Sequence, residues 1–166
     1  TVVNLIDLKK KLFTNKFFKN KKIIASFLSI KTEISTVGLN NDILGLRKIL
    51  CLPVMTKNSD ILLFSKYQSG DNLKIGNYKV SEPVGRNFML PNIIIVPCLS
   101  FDLCGYRLGY GGGFYDKTFA YLKKIKHSFI SIGFAYDKQK VQSVIHDELD
   151  QKLNYILTEK SLYKIK

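Results

Sequence analysis

An α/β fold, a mostly parallel sheet covered by helices, is what three features of this sequence predict. Ile93-Ile94-Ile95-Val96 is a continuous β-branched run, the pattern of a strand whose two faces are both covered. Short apolar runs of this kind alternate with segments of helical spacing, and that alternation implies crossover connections. A glycine-rich loop joins the Ile93 run to a helix, where doubly wound sheets bind ligands.

Taken in order, Val2, Leu5, Ile6, Leu8, Leu12 and Phe13 follow helical spacing and predict a first helix. Ile23, Ile24, Ala25 and Phe27 make Lys22 to Leu28 a buried strand. A second helix is expected over Val37 to Lys48. Ile49 to Val54 reads as a strand stopped at Pro53, and Ile61 to Phe64 as another. From 65 to 92 the chain is looser, punctuated by Gly70, Gly76, Pro83, Gly85 and Pro91. Pro97 ends the Ile93 strand. Tyr115, Phe119 and Leu122 stand at i, i+4 and i+7 on one face of a helix starting near Gly113. Phe129 to Phe134 is the next strand, and Val141 to Ile145 and Asn154 to Leu157 predict two short ones. No repeat, linker or low-complexity tract breaks the pattern. Residues 1–166 are therefore expected to form one domain, able to bury roughly 70% of its unfolded chain's surface.

The formal charge is +13, from 26 Lys and Arg against 13 Asp and Glu. The cations are dispersed (Lys9 to Lys11, Lys19 to Lys22, Lys123 to Lys126), and an abundance of Lys, Asn, Ile, Phe and Tyr without Trp is what an A/T-rich coding sequence produces. The charge therefore describes a solvated surface that attracts anionic ligands, and no nucleic-acid partner is expected. No apolar run approaches the roughly 20 residues of a membrane span, no secretory signal opens the chain, and no stretch pairs a basic with a large apolar face, so no membrane partner is expected. Cys51, Cys98 and Cys104 are odd in number and form no C-x-x-C. That argues against a disulfide framework or a zinc site and for a reducing, cytoplasmic setting with buried, inert thiols.

The chemistry is concentrated in Gly105-Tyr106-Arg107-Leu108-Gly109-Tyr110-Gly111-Gly112-Gly113-Phe114-Tyr115-Asp116. Glycines at a helix start leave backbone N–H groups uncovered, and these with the helix dipole favour an anion. Arg107 adds a fork of donors suited to phosphate. A P-loop is excluded, because Asp116 stands where its second glycine belongs. A dinucleotide fingerprint from Gly109 is excluded because residue 114 is Phe. Asp116, beside the expected phosphates, is best explained by a bound cation such as Mg²⁺, which takes one or two carboxylates with phosphate oxygens and water. Asp147 is a candidate second carboxylate, although its residue type alone equally fits an exposed loop acid.

These residues carry a resemblance. Ile94 to Asp102 followed by Gly105 to Asp116 closely resembles the signature of the 5-formyltetrahydrofolate cyclo-ligase family. Phe27-Leu28-Ser29 with Glu33-Ile34 and Thr36, Leu52-Pro53-Val54, Glu82-Pro83, Gly133 to Tyr136 with Gln139, and His146-Asp147 match further family segments in order, over roughly residues 20 to 160. The resemblance implies a three-layer fold like that of the NagB/RpiA/CoA-transferase proteins. It implies an ATP- and Mg²⁺-dependent conversion of 5-formyltetrahydrofolate to 5,10-methenyltetrahydrofolate, with release of ADP and phosphate. Phosphorylation of the formyl oxygen would give an iminium phosphate that N10 attacks. By resemblance, Arg107 and Tyr115 act in catalysis, and the loop Arg107, Leu108, Gly109, Tyr110, Gly111, Gly112, Gly113, Phe114 and Tyr115 holds ATP. Leu28 and Glu33 contact the pterin of the folate, Tyr110 and Phe114 pack on its rings, and Asp116 and Asp147 hold Mg²⁺. The substrate, which can be polyglutamated, is the only partner implied, and the protein is expected to be a monomer. The sequence departs from the family in three places. Its usual basic N-terminal helix, with a Lys and an Arg that touch ATP, is expected to be lacking, since Lys9 to Lys11 stand too near the Phe27 strand. Cys98 replaces a usual glycine, and Lys117 often has Arg as its counterpart. Three alternatives stay open: a truncated, non-catalytic nucleotide- or folate-binding relative, a basic nucleic-acid-binding domain, and an unrelated phosphotransferase using the same loop.

Overall fold

A computed structural model describes residues 5–166; Val2, assigned above to the first helix, lies outside them. The elements in chain order are α1 (Leu5–Thr14), α2 (Lys16–Lys19), β1 (Ile23–Ala25), α3 (Val37–Gly45), β2 (Ile49–Val54), β3 (Leu63–Tyr67), β4 (Leu73–Ile75), β5 (Ser81–Pro83), β6 (Ile93–Pro97), β7 (Ser100–Phe101), β8 (Arg107–Leu108), α4 (Phe114–Lys124), β9 (Ile130–Phe134), β10 (Tyr155–Leu157) and β11 (Leu162–Lys164). A 7-stranded sheet of order β11-β10-β9-β6-β1-β2-β3 forms the centre. Strands β2, β1, β6, β9 and β10 run parallel, and β3 and β11 close the two edges antiparallel.

The β-branched runs explain the layering. Successive strand side chains point to opposite faces. Ile93 and Ile95 enter a core with Ile24, Leu12 and Phe18, and with Leu39 and Ile43 of α3. Ile94 and Val96 enter the opposite core with Phe119 and Leu122 of α4. One face is thus covered by α1, α2 and α3 and the other by α4. Both cores are apolar, which is why the central strands read as continuous rather than alternating apolar runs.

Strand β2 runs through Pro53 to Val54 rather than stopping at it. Its pairing with β1 ends at Cys51, so Pro53 removes no donor from that ladder. The helix expected to reach Lys48 ends at Gly45, with Leu46 as its C-cap. Residues 141–145, predicted as a strand, form none. Val144 donates its N–H to Asp102 Oδ2 and Val141 its N–H to the Phe101 carbonyl, while Ile145 is 98% exposed. Of the apolar side chains there only Val144 is buried. Among the described residues no helix is long and apolar enough to cross a membrane.

The chain leaves β1 for β2 on one side and reaches β6 on the other, so the winding direction switches between β1 and β6. Crevices outside the carboxyl ends of strands at such a point are where α/β sheets bind ligands.

Candidate active site

A cavity of about 250 Å³ opens at that switch point. Phe27 and Leu28 after β1, Pro53 and Met55 at the end of β2, and Pro97 at the end of β6 form its floor. The glycine loop and the first turn of α4 form one wall, and Ile30 and Glu33 another.

The loop is shaped by a buried carboxylate. Asp102, 1% exposed, accepts the N–H groups of Cys104 and Tyr106 on Oδ1, both at 3.0 Å, and that of Val144 on Oδ2 at 2.8 Å. The turn so fixed returns the chain as β8, antiparallel to β7, with Phe101 opposite Arg107. The Arg107 side chain is 5% exposed. Its Nη2 lies 3.5 Å from Asp116 Oδ2, and its guanidinium carbon stands 5.4 Å from the centre of the Tyr115 ring. Its Nε is buried and has no hydrogen-bond partner among the described residues. A buried guanidinium with an unused donor is costly unless something anionic completes it.

Helix α4 begins at Phe114 on Gly113, whose φ of 66° is left-handed; Gly111 has φ of 94°. Glycine adopts such angles without penalty. No side chain caps this end. The first-turn amides therefore stay available at the positive end of the dipole. Thr118 accepts the Leu62 N–H at 2.9 Å and donates to the Phe114 carbonyl, tying α4 to the segment before β3.

Opposite the loop, Glu33 accepts the Ile30 N–H on Oε2 at 2.8 Å and the Tyr110 hydroxyl on Oε1 at 2.9 Å. Burial raises the Glu33 pKa above its ordinary value, opposed by those two hydrogen bonds and by Lys31. Burial likewise lifts Tyr110 to about 12, with the Glu33 contact adding to it. The Tyr115 phenol is also raised by burial, with Arg107 acting against, so it is a proton holder and not a base at neutral pH. Phe114 meets Tyr78 edge to face at 5.4 Å.

Most of the predicted site residues are thus brought together. Leu28, Glu33, Arg107, Tyr110, Phe114, Tyr115 and Asp116 line the cavity, as do Gly109, Gly111 and Gly113. Leu108, half exposed, and Gly112 do not. Nor does Asp147, whose Oδ1 accepts the Leu149 N–H at 2.8 Å. Asp150, three residues on, does line it, and its Oδ2 accepts the Asp147 N–H at 2.9 Å. Sequence reasoning passed over Asp150, because in Asp147-Glu148-Leu149-Asp150 every acid carries the same signal. Asp116 Oδ1 accepts the Gln151 N–H at 3.0 Å, tying the 147–151 loop to the start of α4. Lys9 lies 2.7 Å from Asp42 of α3 and does not border the cavity. Cys51 and Cys98 are buried and pushed up to about 12 by burial, as expected of inert thiols, whereas Cys104 is exposed, contrary to expectation.

A phosphate-bearing ligand and a hard cation fit this donor set. The unused Nε of Arg107 and the uncapped α4 amides suit phosphate. Among the described residues no group of three or more His, Cys, Asp and Glu could hold a metal. Asp116 and Asp150 alone suit a cation that completes its shell with phosphate and water, as Mg²⁺ does.

A doubly covered α/β domain with a buried arginine and an open helix start at its switch point is the framework of a ligand-binding enzyme. Comparison with known proteins makes it specific. The 5-formyltetrahydrofolate cyclo-ligase family pattern matches residues 4–159. The 5-formyltetrahydrofolate cyclo-ligase of Escherichia coli (strain K12) is 31% identical over 147 residues, covering 85% of this chain and 80% of that protein. The enzyme of the same name from Haemophilus influenzae is 35% identical, covering 84% and 76%. The solved structure of Aquifex aeolicus 5,10-methenyltetrahydrofolate synthetase superposes with a TM-score of 0.77 at 27% identity, over 98% of this chain and 81% of that one. The chain belongs to the 5-formyltetrahydrofolate cyclo-ligase family and is an enzyme of the cyclo-ligase class.

Proposed function

We propose that the protein converts 5-formyltetrahydrofolate to 5,10-methenyltetrahydrofolate at the expense of Mg-ATP, releasing ADP and phosphate through a phosphorylated formyl group. The observation that carries this is the buried Arg107 with its unused Nε beside Asp116, at the uncapped start of α4. A formamide oxygen is a poor leaving group. Its phosphorylation gives an iminium phosphate whose carbon N10 of the folate can attack, after which phosphate departs.

Catalysis of phosphoryl transfer is mainly positioning and charge stabilisation. Arg107 and the amides of Gly113 to Tyr115 hold the transferred phosphate and balance the charge that grows on it. Asp116 and Asp150, in place of Asp147, hold Mg²⁺, which neutralises phosphate charge when bound. Glu33 accepts from adjacent N–H donors of the pterin and fixes the folate's orientation. Leu28, Tyr110 and Phe114 cover the rings and exclude water. Tyr115 supports the Arg107 guanidinium on its ring face.

The test is direct. Purified protein with Mg-ATP and 5-formyltetrahydrofolate is expected to develop the near-ultraviolet absorbance of the methenyl product, with one ADP per product. Absorbance without ATP consumption would remove the phosphorylation step. No product at high enzyme concentration, with folate still bound, would favour a non-catalytic folate-binding relative.

A further inference from the structure

Residues 145–152 leave the β7–β8 turn, touch the start of α4 and carry Asp150 to the cavity. No residue of this stretch is buried, whereas Val144 before it and Leu153 after it both are. Burial therefore fixes its ends and not its course. Both ends are tied to the same turn. Val144 donates its N–H to Asp102 Oδ2 at 2.8 Å, and Leu153 donates its N–H to the Gly105 carbonyl at 2.8 Å. Two side chains of the stretch then meet one ring of that turn. The His146 imidazole stacks on Tyr106, with centroids 3.5 Å apart and planes 10° from parallel, and Lys152 Nζ stands 5.5 Å from the centre of the same ring. Tyr106 is itself held through its backbone, its N–H donating to Asp102 Oδ1 and its carbonyl accepting the Asp102 N–H, each at 3.0 Å.

A loop whose ends are fastened together and whose middle has no apolar anchor is held by the polar and aromatic contacts it makes. His146 Nδ1 bonds only the neighbouring Val144 carbonyl. Among the described residues, the hydrogen bonds that reach from the stretch to the rest of the chain both belong to Gln151: its N–H donates to Asp116 Oδ1 at 3.0 Å, and its Oε1 accepts from Lys123 Nζ at 2.7 Å. The Tyr106 ring is the contact that grips the stretch near both ends, at His146 and at Lys152, which bracket Asp150. We propose that Tyr106 is a positioning residue: its ring clasps His146 and Lys152 and so sets where Asp150 stands at the cavity. The role of Asp150 rests on the reading above. Tyr106 directly precedes Arg107, so a single turn both aims the buried arginine and fastens the segment that bears the second carboxylate.

The test follows amide hydrogen exchange of residues 145–152 in the wild type, Tyr106→Ala, Tyr106→Phe and His146→Ala, together with Mg²⁺ titrations of turnover. Phe keeps the ring and Ala removes it. Tyr106→Ala should speed exchange in the segment roughly two- to tenfold, the scale of one aromatic pair, and leave β6 and β9 unchanged. His146→Ala, made at an exposed position, should do the same, and the double variant should add little to either. The Mg²⁺ concentration for half-maximal turnover should rise by a similar factor in Tyr106→Ala and return to the wild-type value in Tyr106→Phe. Unchanged exchange in the two Ala variants would overturn the clasp. So would a Phe variant that behaves like Ala, or faster exchange with an unaltered Mg²⁺ dependence. If Tyr106→Ala loosens β6 and β9 as well, His146→Ala alone decides. Exchange needs neither nucleotide nor folate, so it also judges the clasp in a protein without turnover, a result that would remove the reading above instead.

Discussion

Arg107 Nη2 stands 3.5 Å from Asp116 Oδ2 across the start of α4, with Arg107 nearly sealed from solvent and Asp116 still 17% exposed. The arginine comes from β8 and the aspartate from the first turn of the helix, so the pair spans the glycine loop. Lysine at 107 keeps the charge but loses the planar fork. Arg107→Lys should lower kcat/KM roughly ten- to a hundredfold, the worth of one charge-assisted hydrogen bond of about 1.5–3 kcal/mol. The unfolding temperature should change little. A matching loss of folding and turnover would make the arginine a packing residue.

Asp102 makes a different prediction, because it does not line the cavity. Of its three backbone N–H partners Val144 is buried, Tyr106 half-buried and Cys104 exposed, so removing their acceptor strands the Val144 N–H outright and the other two in part. Each stranded donor costs about 1–3 kcal/mol. Asp102→Ala should therefore destabilise the fold by about 1–3 kcal/mol in denaturant titrations. Turnover measured on the folded fraction should also fall, since the turn that aims Arg107 is lost. Unchanged stability would mean that the N–H groups find water.

The Glu33 carboxyl, held above its ordinary pKa mainly by burial, links pH to both stability and binding in opposite senses. Its uncharged form suits the half-buried wall. Its contribution to stability is full below the ordinary value of 4.5 and is lost as pH rises through the raised folded value. With the carboxylate as the proposed pterin contact, kcat/KM should fall on the acid side with a midpoint above 4.5. Tyr110→Phe removes a donor that favours the carboxylate. The acid limb should then move to higher pH. A limb that stays in place would show that Glu33 does not govern binding.

The sequence made the centre of this molecule legible and its margins not. Strands β1, β2, β6, β9 and β10, with helices α3 and α4, stand where apolar runs and helical spacing put them, because burial on both faces leaves a strong composition signal. Strands β4, β5, β7, β8 and β11 are two or three residues long and held by local pairing, too short to impose a period. The expected 141–145 strand failed for the reverse reason: its apolar residues look like a strand, but their amides are claimed by Asp102 and Phe101. Glycine spacing revealed the loop that opens α4, since an uncapped helix start is written locally. Which acid reaches the loop is a matter of tertiary placement, and only the fold separates Asp150 from Asp147.

That separation yields the last prediction. Asp150 lines the cavity next to Gln151, whose N–H is held by Asp116, so Asp116 anchors the stretch of chain that carries Asp150. Asp147 spends its Oδ1 on the Leu149 N–H outside the cavity. Asp150→Asn removes a charge that Mg²⁺ would use, and Asn still offers an oxygen to the Asp147 N–H. The Mg²⁺ concentration for half-maximal turnover should rise roughly tenfold or more in Asp150→Asn, the scale of one charge-assisted contact of about 1.5 kcal/mol. In Asp147→Asn it should stay near the wild-type value, because an Asn oxygen can accept the same N–H. Magnesium titrations of the two variants decide the assignment. A rise in Asp147→Asn with none in Asp150→Asn would return the second carboxylate to Asp147 and require the 147–151 loop to turn inward when the ligand binds.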